Sequence, residues 1–398
     1  MHNFYFLYLT TQLHLLSASI SLFLPLISLI AFLLGLTYLL LIRFYLREWE
    51  KLPIWQLPAS FMPTTSVSIL IPARNEATRI RNCLEHIRRQ NYPPDLLEIL
   101  VIDDHSSDGT GALVRSLNDP LIHIFSLPEG EEGKKAALAY GIHRSAGKLI
   151  ITTDADCLVP EQWLSYLVSY YEAHNPVFIT APVNFFAERS ALERFQSLDI
   201  LGTMILTGAG IQSGTLHMSN GANLAYPKTI FEAVGGFTGI DYLASGDDML
   251  LMHKIVQTYP GRLAFLKQPQ ASVHTSAVSS WRAFFQQRLR WATKSGTYQD
   301  WRIIATLSLV FFLCWGILLS PLLVFFWGLS GLLPFLLLLT FKMVADYQLL
   351  GRAARFFNRR ELMRYFWTSQ LFHIIYIALI GLTANLVKQY TWKGRRVQ

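Results

Sequence analysis

The sequence predicts an α/β domain with a mostly parallel sheet, carried between N- and C-terminal transmembrane helices. Three observations predict it. Hydrophobic residues make up 52% of the 398 and charged residues 15%, against roughly 25% charged in a soluble domain. Uncharged apolar tracts of bilayer length, about 20 residues, lie toward both ends. Between them, apolar strand-like runs alternate with amphipathic helix-like stretches, the pattern of βα units.

The first tract runs from Leu15 to Ile42, with His14 near its start and Arg43, Arg47 and Lys51 directly after it. It lacks the basic n-region and A-x-A site of a cleaved signal peptide. The basic residues behind it place the chain beyond residue 43 in the cytoplasm by the positive-inside rule. Residues 1–51 are thus a transmembrane helix and its flank. Residues 52–65, with Pro53, Pro58 and Pro63, read as a linker.

Residues 66–298 read as the soluble domain. Val67–Ile71, Ile99–Ile102, Ile122–Phe125, Leu149–Thr152 and Val177–Thr180 are its expected strands, and 76–90, 108–117, 133–145 and 160–173 its expected helices. In such sheets ligands bind beyond the carboxyl ends of the strands, where the polar clusters of this chain fall. Residues 279–296 close the domain with Trp281, Phe284, Phe285, Arg288, Arg290, Trp291 and Lys294 at helical spacing. That composition suits an amphipathic helix lying at the membrane interface.

Residues 299–398 hold apolar tracts at about 303–328, 331–350 and 365–387, hence about three spans and a basic tail. Lys342 and Asp346 lie inside the second at i,i+4 spacing, where they can pair on one face. Charge inside a membrane is a functional hint; a structural pair, or a span ending near Phe341, fits equally. Three spans place Lys388, Lys393, Arg395 and Arg396 outside, against the positive-inside rule, unless the last tract is re-entrant, lies flat, or the count differs. The net charge of +7 is concentrated in this tail and in Arg352, Arg355, Arg359, Arg360 and Arg364. Such clusters flanking apolar spans face lipid rather than nucleic acid. Cys83, Cys157 and Cys314 are odd in number and widely spaced, so no disulfide framework or zinc site is expected.

Polar clusters follow expected strands or open expected helices. The first is Pro72-Ala73-Arg74-Asn75-Glu76, able to meet a base, ribose or phosphate, or simply to cap a helix with Asn75. The second is Asp103-Asp104, costly to bury without a partner, with Asp108 as a cap. Gly133-Lys134-Lys135 opens a helix, where a lysine opposes the dipole unless an anion sits there; Lys135 reads as solvated surface. Asp154-Ala155-Asp156 straddles a strand end, where carboxylates at i,i+2 can share a divalent cation and neutralise a diphosphate leaving group. Cys157, beside it, reads as a small filler residue. Asp247-Asp248 opens one more helix, as a cap or as a general base for a hydroxyl. Gly208-Ala209-Gly210 is not a dinucleotide fingerprint, since no strand precedes it.

In this order, with Gln287-Arg288-Leu289-Arg290-Trp291 as Q-x-x-R-W, residues 66–298 resemble the membrane-associated members of glycosyltransferase family 2. Similar chains include cellulose and hyaluronan synthases and ceramide glucosyltransferases. The resemblance implies a Rossmann-like, GT-A nucleotide-diphospho-sugar transferase fold and inverting transfer. It places Pro72, Arg74, Asn75, Glu76 and Asp104 around the nucleotide, with Lys134 and Asp154 nearby. It gives Asp154 and Asp156 a Mg or Mn ion on the diphosphate, makes Asp248 the catalytic base, and sets Gln287, Arg290 and Trp291 at the acceptor and diphosphate. The implied donor is a UDP-sugar or, failing that, a GDP-sugar. The implied acceptor is a lipid or lipid-linked glycan at the plasma membrane. His105-Ser106, Asp247 and Ala139 depart from the commoner Gly-Ser, Glu and Asn; the last leaves the Lys134 region least defined by the likeness. Two further readings stay open: a processive polysaccharide synthase, and an inactive membrane-anchored sugar-nucleotide sensor or scaffold.

Overall fold

In the computed structural model, residues 2–241, 246–292, 300–386, 390–392 and 395–397 are described, with side chains from 23 to 383 within those ranges. Ser245, the end of the expected interfacial helix with Lys294, and tail residues Lys388 and Lys393 lie outside them.

The chain begins with helix α1 (His2–Lys51) and then enters the domain. The domain runs β1 (Val67–Ala73), α2 (Ile80–Arg88), β2 (Leu97–Asp103), α3 (Thr110–Ser116), β3 (Ile122–Ser126), α4 (Lys134–Arg144), β4 (Leu149–Thr152), α5 (Trp163–His174), β5 (Phe178–Thr180) and β6 (Val183–Phe185). It continues through α6 (Ala191–Ser213), β7 (Leu224–Pro227), α7 (Lys228–Ala233), α8 (Met249–Thr258), β8 (Leu263–Phe265), β9 (Val273–Thr275) and α9 (Trp281–Ala292). Helices α10 (Trp301–Leu319), α11 (Val324–Trp327), α12 (Leu333–Phe356) and α13 (Phe366–Leu386) come next, with a short terminal hairpin of β10 (Tyr390–Trp392) and β11 (Arg395–Val397).

Seven strands form one sheet in the order β3-β2-β1-β4-β7-β5-β8, and β6 pairs with β9 apart from it. The first four are parallel, as the βα alternation predicts. Strand β7 is the exception. It runs antiparallel to both β4 and β5, so the sheet is mixed. β1 is buried along almost its whole length, which is why it reads as a continuous apolar run rather than an alternating one. The register Leu70↔Thr152 and Ala73↔Asp103 brings the carboxyl ends of β1, β2 and β4 side by side.

The linker of residues 52–65 is a bound strap rather than a free tether. Trp55 donates its backbone N–H to Lys267 O at 3.1 Å and its indole N–H to Ser169 at 3.0 Å. Glu172 on α5 accepts from the backbone and hydroxyls of Thr64 and Thr65. Burial disfavours its charge, but these bonds outweigh it and hold its pKa below the usual carboxylate value.

Helix α1 passes without a break into the domain. Tyr45, Leu46 and Trp49 are buried in the same core as β1 and β4, and Trp49 meets Phe265 and Phe356 edge to face. Lys267 closes the end of α1, its ammonium donating to Trp49 O at 2.7 Å and Leu52 O at 2.8 Å. Carbonyls at a helix C-terminus lack intrahelical donors, and a cation there also matches the dipole.

Three stretches are long and apolar enough to cross a membrane: Phe23–Lys51, Trp301–Phe356 and Arg360–Thr383. The second folds back on itself. A Cβ on Gly316 would lie 2.9 Å from Leu338 Cδ1, whereas an unbroken helix would hold those positions about 33 Å apart. α10 and α12 therefore pack as a hairpin. α12 continues well past Phe341, to Phe356. Its Lys342 and Asp346 are buried and paired; Tyr38 of α1 donates to Asp346, and Lys342 donates to Gln370 of α13 at 2.9 Å. Each polar atom brought into apolar surroundings thus finds a partner, and the cluster ties α1, α12 and α13 together.

Two arginines of the basic cluster pair with acids of the protein. Arg352 pairs with Glu50 at 2.8 Å. Arg359 pairs with Glu188 at 2.9 Å and donates to Phe185 O at 3.0 Å. The segment between α12 and α13 is thereby fastened to the domain.

Replacing Lys342 by Met leaves the Asp346 charge buried with its cation gone, and should cost about 3 kcal/mol of stability. The double change Lys342→Met with Asp346→Leu should recover most of that loss. Thermal unfolding in lipid nanodiscs checks both; a single variant as stable as the parent would contradict the role given to the pair.

Candidate active site

The carboxyl edge of β1, β2 and β4 gathers most of the residues the sequence singles out. Asp104 lies just beyond β2 and is 3% exposed. Arg74, just beyond β1, donates to Asp104 O at 2.7 Å, with its guanidinium 3.6 Å from the carboxylate. Gly133, before α4, donates its N–H to the other carboxylate oxygen at 3.1 Å. It does so at φ +94°, a conformation L side chains rarely adopt.

Asn75 takes a left-handed conformation, φ 54°. It accepts from Ser107 N at 2.9 Å while its own N–H donates to Ser106, so it braces the loop after β2 rather than capping α2. Asp108 bridges the same two loops, accepting from Ala77 N and Thr110 N. Burial opposes its charge slightly, but those bonds and the Thr110 hydroxyl hold its pKa below the ordinary value. Pro72 lies in β1 opposite Ile102.

Glu76 pairs with Arg79 at 2.8 Å, and Arg79 reaches Asp156 at 3.2 Å. Nothing in the sequence marks this arginine: a basic residue three positions after a glutamate carries no signal until the loop folds under β4. Asp154 and Asp156 stand just past β4 with Cys157, their ligand atoms within 4.8 Å of one another. Burial first, then the two acids, push the Cys157 thiol well above its usual pKa. It is buried beside the two carboxylates. Hard oxygen donors with room left for phosphate oxygens suit Mg or Mn better than a thiophilic ion.

Lys134 closes the cluster. Its ammonium lies 2.7 Å from Asp154 and 3.1 Å from Asp247. These acids are the anions that its place at the start of α4 calls for. Burial alone would lower its pKa, but Asp154, Asp247 and Asp248 outweigh burial and hold it above the ordinary lysine value of 10.5. Lys135 is not solvated surface: it is 6% exposed and donates to Ile240 O.

Asp248 caps α8, accepting from Met249 N at 2.7 Å, while its other oxygen accepts from Gly221 N at 3.1 Å. Both backbone bonds fix the carboxylate beside Lys134. Gly221 lies close against the charged groups: a Cβ there would sit 2.9 Å from both Asp247 Oδ2 and Lys134 Nζ, so both side-chain ends would have to shift. The Asn220-Gly221 dipeptide is a turn signal, the one sequence hint of this residue.

Gln287, Arg290 and Trp291 lie on α9, whose apolar residues pack against α6 and α13. Phe284 is fully buried against Phe195 and Tyr376. Arg288 is buried too, 2.7 Å from Asp199, and its guanidinium lies over the Trp291 ring at 4.3 Å. The Gln287 side-chain oxygen is buried without a hydrogen-bond partner among the described residues. The sequence marks α9 as interfacial but gives Arg288 no special place. Asp199, a lone acid in an apolar stretch of α6, is the signal that a buried partner exists. A cavity of about 910 Å³ opens beside α8 and the start of α10, lined in part by His217, His253 and Arg302; it is not the cleft of Asp154 and Asp156.

Residues 68–235 match the model of glycosyl transferase family 2, and the fold is the mixed α/β, Rossmann-like GT-A one. The chain is 28% identical over 265 residues to the probable glycosyltransferase YdaM of Bacillus subtilis (strain 168), across 63% of this chain and 59% of that protein. It is 28% identical over 273 residues to the beta-monoglucosyldiacylglycerol synthase of Synechocystis sp., across 65% of this chain and 54% of that protein. The chain thus spans less than two thirds of the length of these relatives. The solved mannosyltransferase PcManGT from Pyrobaculum calidifontis, in complex with GDP-Man and Mn2+, has a TM-score of 0.57 at 20% identity, covering 90% of this chain and 99% of that one. At that identity the likeness concerns the fold.

Because the folded pKa of Lys134 is raised above its unfolded value, its stabilisation is fully present below pH 10.5 and lost as pH rises through the folded value. Lys134→Met should therefore lower stability by about 2 kcal/mol at neutral pH, less than for a fully buried pair. The gap to the parent should narrow only above pH 10.5. Thermal midpoints against pH check this; a gap already closing near pH 8 would contradict it.

Proposed function

We propose that this protein is a membrane-anchored, inverting glycosyltransferase that moves a sugar from a nucleotide donor to a lipid or lipid-linked acceptor. The observation that carries the reading is the convergence of Asp154, Asp156, Lys134, Asp247 and Asp248 at the carboxyl edge of a GT-A sheet. The beta-monoglucosyldiacylglycerol synthase among its relatives favours a lipid acceptor, as does the presence of apolar helices on both sides of the domain. The basic residues Arg43, Arg47 and Lys51 after the first span favour a cytoplasmic domain at the plasma membrane.

In this reading Pro72, Arg74, Asn75, Glu76 and Asp104 hold the nucleotide, UDP before GDP. Asp154 and Asp156 are the residues that would hold Mg or Mn, whose charge neutralises the diphosphate when it is bound. Lys134 exchanges part of its bonding from Asp154 to the phosphates, which explains a lysine at a helix start among acids. Asp248 takes the proton from the acceptor hydroxyl as that oxygen attacks the anomeric carbon in line with the departing diphosphate. Its orientation by Gly221 and Met249 is suited to a fixed base. Arg290 meets the developing charge on the diphosphate, Trp291 stacks on the acceptor sugar, and the free oxygen of Gln287 accepts from a sugar hydroxyl.

Asp248→Asn should lower transfer by about a thousandfold while metal-dependent nucleotide binding stays near that of the parent. Near-normal turnover would refute Asp248 as base. The broader test is nucleotide release from protein in nanodiscs, offered UDP-, GDP- and CMP-sugars with Mn or Mg, with and without native lipid extract. Release from one donor, lost on chelation and raised by the extract, is expected. Product growing in length without extract would replace this reading by a processive synthase, and tight nucleotide binding without release by a silent sensor.

A further inference from the structure

Helix α6 grips the segment of α9 at two points one turn apart. At the first, Gln196, fully buried, donates to Val278 O at 2.8 Å and accepts from Val278 N at 3.2 Å. At the second, Asp199 pairs with Arg288 at 2.7 Å. The other Asp199 oxygen accepts from the Tyr376 hydroxyl of α13 at 3.3 Å. One ion pair therefore joins a helix of the domain, the helix bearing Q-x-x-R-W, and a membrane-spanning helix.

The choice of charged residues here needs a reason. A buried ion pair is weak evidence for stability, because apolar residues of similar size often serve as well or better. The surroundings would accept them: Phe195 and Phe284 are 2% and 0% exposed and lie against Tyr376. What apolar residues cannot do is what the guanidinium does. It lies 2.7 Å from Asp199 as an ion pair, without hydrogen-bond geometry, and its central carbon lies 4.3 Å from the Trp291 ring centre and 5.0 Å from that of Phe284. A planar cation fixed by a carboxylate sets the position and tilt of a ring above it, which a lysine ammonium does poorly.

We propose that Arg288, held by Asp199 and Tyr376, is a positioning residue that sets the Trp291 ring for the acceptor and links its placement to α13. The inference rests on the transferase reading above. It assigns Arg288 no contact with substrate; it acts through Trp291. A ring held in one orientation lowers the entropy cost of aligning an acceptor, and a small misplacement is felt in turnover. The coupling to α13 means that the acceptor site is assembled only when the membrane helices are packed.

The test uses the full chain in nanodiscs containing native lipid extract, with the panel of nucleotide sugars and Mn or Mg. Arg288→Lys keeps the charge and should lower acceptor-stimulated kcat about tenfold, and Arg288→Met about a hundredfold. Nucleotide affinity should stay within about twofold in both, since Arg288 itself pairs with Asp199 and with none of the residues assigned to the nucleotide. Arg288→Met can fail to fold by stranding Asp199, so Asp199→Leu with Arg288→Met is the deciding variant. It should regain the parent's thermal midpoint while turnover stays low. Parental turnover in Arg288→Lys or in the double variant would overturn the inference and leave the pair a structural one. An equal loss of nucleotide affinity and turnover would also overturn it, since positioning at the acceptor leaves the donor site intact. Absence of release by the parent itself, with every donor, would overturn the transferase reading and this inference with it.

Discussion

Carboxylates crowded at one edge of a sheet repel one another and are costly to desolvate, and the architecture of this domain reflects how that cost is met. Parallel strands β1, β2 and β4 end side by side, so the residues just beyond them, Arg74 to Glu76, Asp104, and Asp154 with Asp156, face one cleft. Lys134 from α4 bridges Asp154 to Asp247, and Arg79 bridges Glu76 to Asp156. Gly221 lies close against the lysine, so a Cβ there would force its ammonium to shift. Each cation comes from a different element than at least one of its acids, so the cleft forms only when the sheet and its helices are all in register.

The same pairing of charge organises the attachment to the membrane helices. Lys267 caps the end of α1, Arg359 fastens the segment between α12 and α13 to Glu188, and Asp199 holds α9 to α6. Inside the helical region Lys342 and Asp346 find Tyr38 and Gln370. Polar groups far from bulk water persist where each is answered by a partner. With Trp49 packed on Phe265 and Phe356, the result is a domain joined to its anchor by a continuous core rather than hung from it by a linker.

The residues proposed for the donor sit mostly on loops braced by the sheet, whereas Gln287, Arg290 and Trp291, proposed for the acceptor and diphosphate, sit on a helix supported by α6 and α13. The two halves of a transfer reaction would thus be held by different parts of the fold, one of them continuous with the membrane helices.

The class of the fold was legible in the chain, because short apolar runs alternating with amphipathic stretches leave few alternatives to a βα sheet. The sequence also located the acids, since carboxylates just after buried strands are conspicuous, and the apolar tracts, since length and lack of charge suffice. Which charges meet depends on how the elements pack. Antiparallel β7 sits between β4 and β5, a pairing that depends on strands distant in sequence and leaves no local pattern. Lys135 reads as solvated but is buried because residues near Ile240 fold over α4. The strap at 52–65 reads as free because proline spacing does not reveal the hydrogen bonds of Thr64 and Thr65 to Glu172. Arg79 and Arg288 carry no sequence signal because an ion pair is defined by distance in space, and the chain brings its members together only after the sheet and the membrane helices have packed.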